Sequence, residues 1–194
     1  MSGTIFERGI GHDFVRLHPR LQSYFGHTGP IRAEGVFDEA GSRIRIGTPV
    51  LWVMSKLGLL FPEYGRGVPF TITITPQGPN AVTTVRRLRF PGRVRIMSDR
   101  TVWMAGRLVD VHARGLIRVS MRSEVNDDGS LTLAADQARL CLGRSVFRLP
   151  PVPVILNQSW DEDEQLYRID VSIGMPLIGE VFAYRGAFRW HPEA

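Results

Sequence analysis

The chain has 194 residues, of which 43% are hydrophobic and 22% charged, and it carries a formal net charge of +5. This composition excludes a disordered or low-complexity protein and predicts one globular domain with a sizeable core over residues 1–194. Cys141 is the only cysteine, which excludes an internal disulfide and favours a reducing compartment. The first residues lack a charged head followed by an apolar segment, so we expect neither a secretory signal nor a membrane anchor, and a cytoplasmic location.

The basic character comes almost entirely from arginine, since Lys56 is the only lysine. The densest group lies along a predicted hairpin and consists of Arg86, Arg87, Arg89, Arg93 and Arg95. Such a group is either the solvated outer face of a sheet, where it discourages edge pairing, or a track for phosphates. Phe90 is the only aromatic residue in this run, so a series of rings to stack on bases is lacking, which favours the solvated face and argues against a nucleic-acid partner.

Residues 1–26 are predicted to form a helical lead-in of two short pieces that meet at His18 and Pro19. Proline is tolerated at the first position of a helix, and Gly26 is placed to end the second piece. Several apolar side chains recur at helical spacing, so one face should pack on the rest of the protein. They are Phe14, Leu17, Leu21 and Phe25.

Residues 27–62 are predicted to contain a strand over 31–37, a turn over 38–41 and a helix over 49–61. In the helix only Ser55 and Lys56 are polar. A helix that is apolar on every side is buried in a core, embedded in a membrane or placed over a cavity. This one is too short to span a bilayer, which needs about 20 apolar residues, so we expect it to cover protein or a ligand.

Residues 63–194 change to a period of two, which predicts an antiparallel meander of nine or ten strands. The strands are predicted at 68–75, 82–90, 94–97, 101–105, 108–113, 116–124, from 131 onward, 166–173 and 178–190. The proline-rich stretch at 149–153 cannot be a central strand. The fold class is therefore α+β: a strongly curved antiparallel sheet or incomplete β-barrel, with the apolar helix over its concave face.

Seven large side chains are candidates to line a cavity between that helix and the sheet. They are Trp52, Met54, Phe70, Trp103, Met104, Phe182 and Tyr184. Core packing and a ligand-binding wall explain them almost equally well, although tryptophan and methionine are less usual core fillers. Tyr184 adds a hydroxyl that could orient a ligand.

Four residues are candidates for acid–base chemistry. Asp110 and His112 share one face of a predicted strand, and a carboxylate beside an imidazole is the pairing of a general base. The opposite face is apolar, which favours a solvent-facing position for both. His18 more simply caps or packs at a helix start, and Glu34 more simply pairs with an arginine at the surface. Metal-ligand spacings and nucleotide-binding glycine motifs are lacking in the sequence, so we expect no cofactor.

Several short motifs together resemble the domain-of-unknown-function family numbered 4166. They are Leu17-His18-Pro19-Arg20-Leu21, the apolar run from Leu57 to Pro62, Val68-Pro69-Phe70, the stretch from Met175 to Gly179, and Tyr184-Arg185-Gly186. The resemblance spans nearly the whole chain. Members occur alone or joined to saccharopine-dehydrogenase-like reductases, which implies a hydrophobic ligand and a reductase partner. The strand 82–90 departs from many relatives, which carry a tryptophan and one arginine there.

Three functions follow, in order of preference. The first is a binding protein that holds a lipid or other hydrophobic small molecule. The second is a cofactor-independent cyclase, isomerase or hydrolase that uses the same cavity, and it requires a titratable group at the cavity wall. The third is polyanion binding through the arginine-rich hairpin. The sequence leaves the oligomeric state open.

Overall fold

The computed structural model describes residues 3–42, 60–175 and 177–193. The described chain begins with helix α1 (Ile5–Ile10), a 3-10 segment (Gly11–Arg16) and helix α2 (Pro19–Phe25). Thr4 begins α1 with a capping box, in which its hydroxyl accepts from the Glu7 amide at 3.1 Å and Glu7 accepts from the Thr4 amide at 2.6 Å. The predicted helical lead-in, with α2 beginning at Pro19 and ending at Gly26, is confirmed.

Eleven β-strands follow in the described residues. They are β1 (Ile31–Gly41), β2 (Tyr64–Pro76), β3 (Ala81–Phe90), β4 (Arg93–Met104), β5 (Arg107–His112), β6 (Ile117–Val125), β7 (Leu131–Leu142), β8 (Ser145–Arg148), β9 (Val154–Asp161), β10 (Leu166–Met175) and β11 (Gly179–Pro192).

Ten of these eleven described strands close into an antiparallel barrel. The sheet runs β6-β5-β4-β3-β2-β1-β11-β10-β9-β7, and β6 also pairs with β7 from Ile117 to Val125. Only β8 stands outside the ring, paired with the far half of β7. The prediction of an incomplete barrel is therefore wrong. Closure leaves no unpaired edge in the ring, which removes the liability of a long open sheet.

Strand ends also differ from the sequence prediction. The turn predicted at 38–41 lies inside β1, where the pairing with β11 shifts between Phe37 and Glu39. This β-bulge bends the strand without ending it. The segments predicted at 94–97 and 101–105 form one strand, β4, and neither β8 nor β9 was predicted.

Two glycines allow β1 and β11 to approach each other closely as neighbours in the barrel wall. A Cβ on Gly35 would lie 2.1 Å from the Ala187 carbonyl oxygen, and one on Gly186 would lie 2.2 Å from the Val36 carbonyl oxygen. No side chain could occupy either place without moving the neighbouring strand. Glycine at these positions permits the close backbone approach that strong coiling requires.

The predicted apolar helix at 49–61 lies mostly outside the described residues, as does any cover it was expected to give the sheet. Its last two residues are described and are buried: Leu60 is 6% exposed and Phe61 2%. The ring of Phe61 packs edge-on against Phe90 at 5.4 Å and Phe182 at 4.9 Å between centroids.

The interior of the barrel has two ends. At the aromatic end, which we define by Phe37, Phe61, Phe70, Phe90 and Phe182, buried rings fill the space; Phe37 and Phe70 stack at 3.7 Å.

The helix-covered end lies under α1 and α2. The Ser123 hydroxyl of β6 donates to the Gly9 carbonyl at 2.9 Å, and the Tyr167 hydroxyl of β10 donates to the Arg20 carbonyl at 3.1 Å. These bonds attach the two helices to different parts of the barrel wall. In the described part of the chain, no helix is long and apolar enough to cross a membrane.

Candidate ligand-binding cavity

A cavity of about 350 Å³ lies inside the helix-covered end of the barrel. Its walls are largely apolar and come from the helices and from strands all round the ring. The apolar wall residues include Ile5, Phe6, Phe25, Ile72, Ile74, Val82, Leu108, Met121, Leu133, Leu156 and Ile169. This size and lining are typical of a site for a small organic molecule.

The cavity reaches the surface beside the start of α1. Its rim is formed by Gly3 to Phe6, by His27 to Gly29, and by the β2–β3 turn around Pro76 to Pro79. Arg8 joins two of these rim segments, because its guanidinium donates to the Asn80 side chain at 2.8 Å and to the Pro79 carbonyl. The entrance therefore lies between the first turn of α1, the loop after α2 and the β2–β3 turn.

Besides Thr84, five polar side chains line the cavity from the strands, and we call these five the polar cluster. They are Arg86 of β3, Asp99 and Thr101 of β4, Asp110 of β5 and Gln158 of β9. Arg86 and Asp99 form an ion pair, with only 15% and 10% of their side chains exposed. Burial alone would lower the pKa of Arg86, but the charge of Asp99, the hydrogen bond that it accepts from Arg86 and the other acidic groups nearby together outweigh burial and raise that pKa, so Arg86 stays charged.

Asp110 lies next to this pair and accepts a hydrogen bond from the Thr101 hydroxyl at 2.7 Å. Burial raises the pKa of Asp110, and the negative charge of Asp99 raises it further. His112, Thr101 and Arg86 offset part of this rise. A carboxyl group with a raised pKa keeps its proton to higher pH, so it can donate a hydrogen bond or a proton to a bound molecule.

Two tyrosines border the polar cluster. Burial raises the pKa of Tyr24 to about 12, while Arg86 and then Gln158 act against the rise. Burial also raises the pKa of Tyr184, which feels the charges of Arg86, Asp99 and Asp110. Both hydroxyls therefore stay protonated at neutral pH and are available as donors.

Two N–H groups of the polar cluster have no acceptor among the described residues. They are Nε of Arg86 and Nε2 of Gln158, and both are buried. The Gln158 carboxamide approaches the Tyr24 hydroxyl closely enough to lower its pKa as a hydrogen bond does, but no contact of Nε2 has the distance and angles of a hydrogen bond, so Nε2 lacks an acceptor among the described residues. Buried polar groups are nearly always hydrogen-bonded, so each exception calls for an explanation.

The aromatic candidates from the sequence lie elsewhere. Trp52 and Met54 are outside the described residues. Phe70 and Phe182 are buried in the aromatic end, and Trp103 packs under the Arg8 guanidinium at 5.6 Å. Met104 is 42% exposed and borders a groove on the outer wall. Of the described candidates, only Tyr184 comes near the cavity, where it interacts with the polar cluster without lining the space.

The acid–base candidates separate into two groups. Asp110 and His112 do share a face and interact, but that face points into the barrel, so the expectation of a solvent-facing position for Asp110 is wrong. His18 caps α2 by accepting from the Arg20 amide at 3.2 Å, and its ring contacts Glu162 at 2.9 Å. Glu34 is exposed and accepts from Arg32 at 2.9 Å. Neither His18 nor Glu34 lines the cavity.

The arginine-rich hairpin is not one uniform outer face. Arg86 points inward to Asp99, and both Arg93 and Arg95 are bound to Glu63. Three of the five arginines are thus paired with carboxylates, which lessens their attraction for phosphates. In the described part of the chain there is no group of three or more His, Cys, Asp or Glu residues that could hold a metal ion.

The sequence reasoning missed most of the cavity, although alternation contained a signal. Arg86 lies between Thr84 and Leu88 on the same face of β3, and Leu88 is 1% exposed. Side chains two residues apart on a strand point to the same side of the sheet, so an arginine that alternates with buried residues points into the barrel. The same phase argument applies to Asp99 and Thr101 in β4. Gln158 had no such signal, because β9 itself was not predicted.

The fold and the cavity together define this protein as a closed antiparallel β-barrel with an internal, partly polar pocket. A family model described as "Domain of unknown function (DUF4166)" matches residues 17–188. The chain belongs to that family, and the resemblance inferred from its motifs is confirmed. It is also 24% identical to the uncharacterized protein YndH of Bacillus subtilis (strain 168), over 96% of both chains.

Proposed function

We propose that this protein binds a hydrophobic small molecule inside the helix-covered end of its barrel. The observation that carries the proposal is a cavity of about 350 Å³ whose apolar walls surround a buried polar cluster. Apolar walls supply affinity, and a few fixed polar groups orient the ligand. The cavity differs from the one expected from the sequence, because its cover is the pair α1 and α2.

A core built only for stability would not be shaped in this way. Protein interiors are normally packed as densely as organic crystals, and a void in a core lowers stability. A buried ion pair such as Arg86–Asp99 is often no more stable than well-packed apolar side chains of similar volume. A void and a buried polar cluster at the same end of the barrel therefore favour a binding role.

The test uses a pair of substitutions on neighbouring residues of β9. Leu156 lines the cavity, whereas Ile155 is 42% exposed on the outside. Leu156→Trp should fill the cavity and weaken binding of the apolar dye Nile red by about tenfold or more. Ile155→Trp should leave Nile red binding unchanged. Equal dye binding by both variants, each folded by circular dichroism, would contradict the proposal.

Native mass spectrometry of the freshly purified protein gives an independent test. A stoichiometric small-molecule adduct, lost in Leu156→Trp but kept in Ile155→Trp, is the expected result. Extraction of that adduct with organic solvent then identifies its chemical class.

A cofactor-independent enzyme is the second candidate, favoured by Asp110 at the cavity wall. A protonated carboxyl group could donate a proton to a bound metabolite, and Asp99 or His112 could accept one. The compound extracted from the protein would be returned to it in deuterium oxide. Deuterium incorporation or isomerisation that disappears in Asp110→Asn would support catalysis, and an unchanged compound would leave the protein a binder.

Two expectations from the sequence belong to the proposal. The single cysteine supports a cytoplasmic location, and the resemblance supports a reductase as a partner that supplies or uses the ligand. Co-purification from the native host with a reductase would be the direct check on the second expectation.

A further inference from the structure

We propose that the ligand is an uncharged molecule with a hydrocarbon body and one carbonyl-type oxygen, and that this oxygen accepts hydrogen bonds from Arg86 Nε and Gln158 Nε2. The inference rests on the proposed binding function and specifies its ligand class. It begins from the two buried N–H donors that have no acceptor among the described residues.

The two donors belong to opposite walls of the barrel. Arg86 is on β3 and Gln158 on β9, and in the closed ring of described strands these are five strands apart in either direction. Both side chains nevertheless influence the same hydroxyl, that of Tyr24, and both line the cavity. A molecule in the cavity therefore lies between the two walls that carry these donors.

The donors require an acceptor on the ligand. Nε of an arginine and Nε2 of a glutamine can only donate. A buried donor without an acceptor loses its bonds to water and gains nothing in return, so the site favours a ligand that supplies one. A carbonyl oxygen has two lone pairs and can accept from both groups at once.

The charges of the polar cluster favour an uncharged ligand. The positive charge of Arg86 is already balanced by Asp99 in a pair that is almost fully buried. A carboxylate in the cavity would add a buried negative charge near Asp99 and Asp110, and the described lining residues include no arginine or lysine other than Arg86 to balance it. An unbalanced buried charge is strongly unfavourable. A ketone, ester or amide oxygen accepts the same bonds without that cost.

The remaining walls of the cavity determine the chemical character and the size of the rest of the ligand. They are mostly aliphatic, including Ile74, Leu133 and Leu156. A volume of about 350 Å³ holds roughly a dozen non-hydrogen atoms, taking about 30 Å³ for each water-sized unit. The ligand is thus of medium-chain or small-ring size.

The experiment compares three compounds of equal carbon number: dipentyl ketone, undecane and undecanoate. Each competes with Nile red for the wild-type protein at neutral pH. We expect the ketone to bind about tenfold more tightly than the hydrocarbon, as one or two recovered hydrogen bonds would give. Undecanoate should bind more weakly than the ketone.

Gln158→Leu removes one donor and leaves the Arg86–Asp99 pair intact. In this variant the affinity for the ketone should fall towards that for undecane, while the affinity for undecane is kept. The matched control is Asn157→Leu, the next residue on β9, which lies outside the cavity lining and accepts from Thr132 at 2.9 Å. This control should keep the preference for the ketone.

The outcomes separate this inference from the proposed function. If undecane binds as tightly as the ketone, or if Gln158→Leu keeps the ketone preference, the inference is overturned while the binding function stands. If undecanoate binds most tightly, the ligand is an anion and the inference is again overturned. If neither Nile red nor any of the three compounds binds the wild-type protein, the binding function fails as well.

Discussion

The aromatic end and the helix-covered end of the interior are enclosed by the same ten described strands, yet they are filled differently. At the aromatic end, Phe37 lies against Phe70 and Tyr184, at 3.7 and 5.0 Å between ring centroids. At the helix-covered end, aliphatic walls leave a cavity, and a buried ion pair lies at its side.

Under the proposed binding function, this difference separates stability from ligand binding within one core. Tightly packed rings contribute burial and dispersion energy, which large-to-small substitutions remove. A cavity beside a buried Arg–Asp pair contributes less to stability than apolar packing of the same volume would. We therefore expect the aromatic end to contribute more to stability, and the helix-covered end is the proposed ligand site.

The largest effect is expected from Phe37→Ala at the aromatic end. Phe37 is fully buried, and a Phe→Ala change in a core costs about 3–5 kcal/mol. Urea unfolding should show that the free energy of unfolding falls by this amount. The affinity for Nile red, measured without urea, should stay unchanged. Val36→Ala, on the same strand but 48% exposed, should change stability by less than about 0.5 kcal/mol. A loss of dye binding in folded Phe37→Ala would show that the two ends are not independent.

A smaller, pH-dependent effect is expected from Asp110→Asn at the helix-covered end. Because the pKa of Asp110 is raised in the folded state, the folded protein binds this proton more tightly than the unfolded chain. Ionisation therefore destabilises the fold as pH rises from the ordinary carboxyl range, near 3.9, towards the folded pKa. Asn cannot ionise, so the variant should gain stability relative to wild type as pH rises, by about 1.4 kcal/mol for each unit of pKa shift.

The check is to measure the free energy of unfolding of the wild-type protein and of Asp110→Asn at about pH 4 and about pH 7. Asp136→Asn is the matched control, since Asp136 is 43% exposed in its pair with Arg107. This control should differ from wild type by a small and similar amount at both pH values. A difference for Asp110→Asn that does not change with pH would contradict a buried, protonated carboxyl group.

The smallest effect is expected from Glu63→Gln, outside the aromatic end. Burial works to raise the pKa of Glu63, but hydrogen bonds from Arg95 and Arg93 outweigh it and lower that pKa. The folded state therefore favours the carboxylate, and the resulting stability is present above the ordinary carboxyl pKa and lost as pH falls. Arg93 is 58% exposed, so we expect a loss below about 1 kcal/mol at neutral pH.

The Glu63→Gln loss should disappear under acidic conditions and shrink in high salt. Its pH dependence is opposite in sign to that of Asp110→Asn. If the pH dependence of stability had the same sign for both variants, the pKa shift inferred for Asp110 or for Glu63 would be incorrect.

Much of the fold could be predicted from local patterns. The capping residues and Pro19 define the lead-in helices, and alternation over 63–192 defines most strands, because both patterns depend on near neighbours in the chain. In β11 the alternation agrees with burial, since Phe182, Tyr184 and Phe188 share one face and are all buried. The family followed from motifs spread along the whole chain.

The cavity could not be predicted in the same way, because its residues come from distant parts of the sequence. Gln158 faces Arg86 only because β9 and β3 lie on opposite sides of a closed ring. Arg86 was assigned to a solvated outer face together with the other clustered arginines, although its phase with Leu88 indicated the interior. Large aromatic side chains were predicted to line a cavity, whereas most of those described lie outside the cavity under α1 and α2.

The sequence by itself determined the helical lead-in, the alternating strands and the family, since each of these depends on spacing along the chain. Only the tertiary structure decided that the barrel closes, which face of β5 is inside, and where the interior stays open. Closure depends on pairing between β6 and β7 and between β1 and β11. The polar cluster and its unpaired donors exist only once those strands have met.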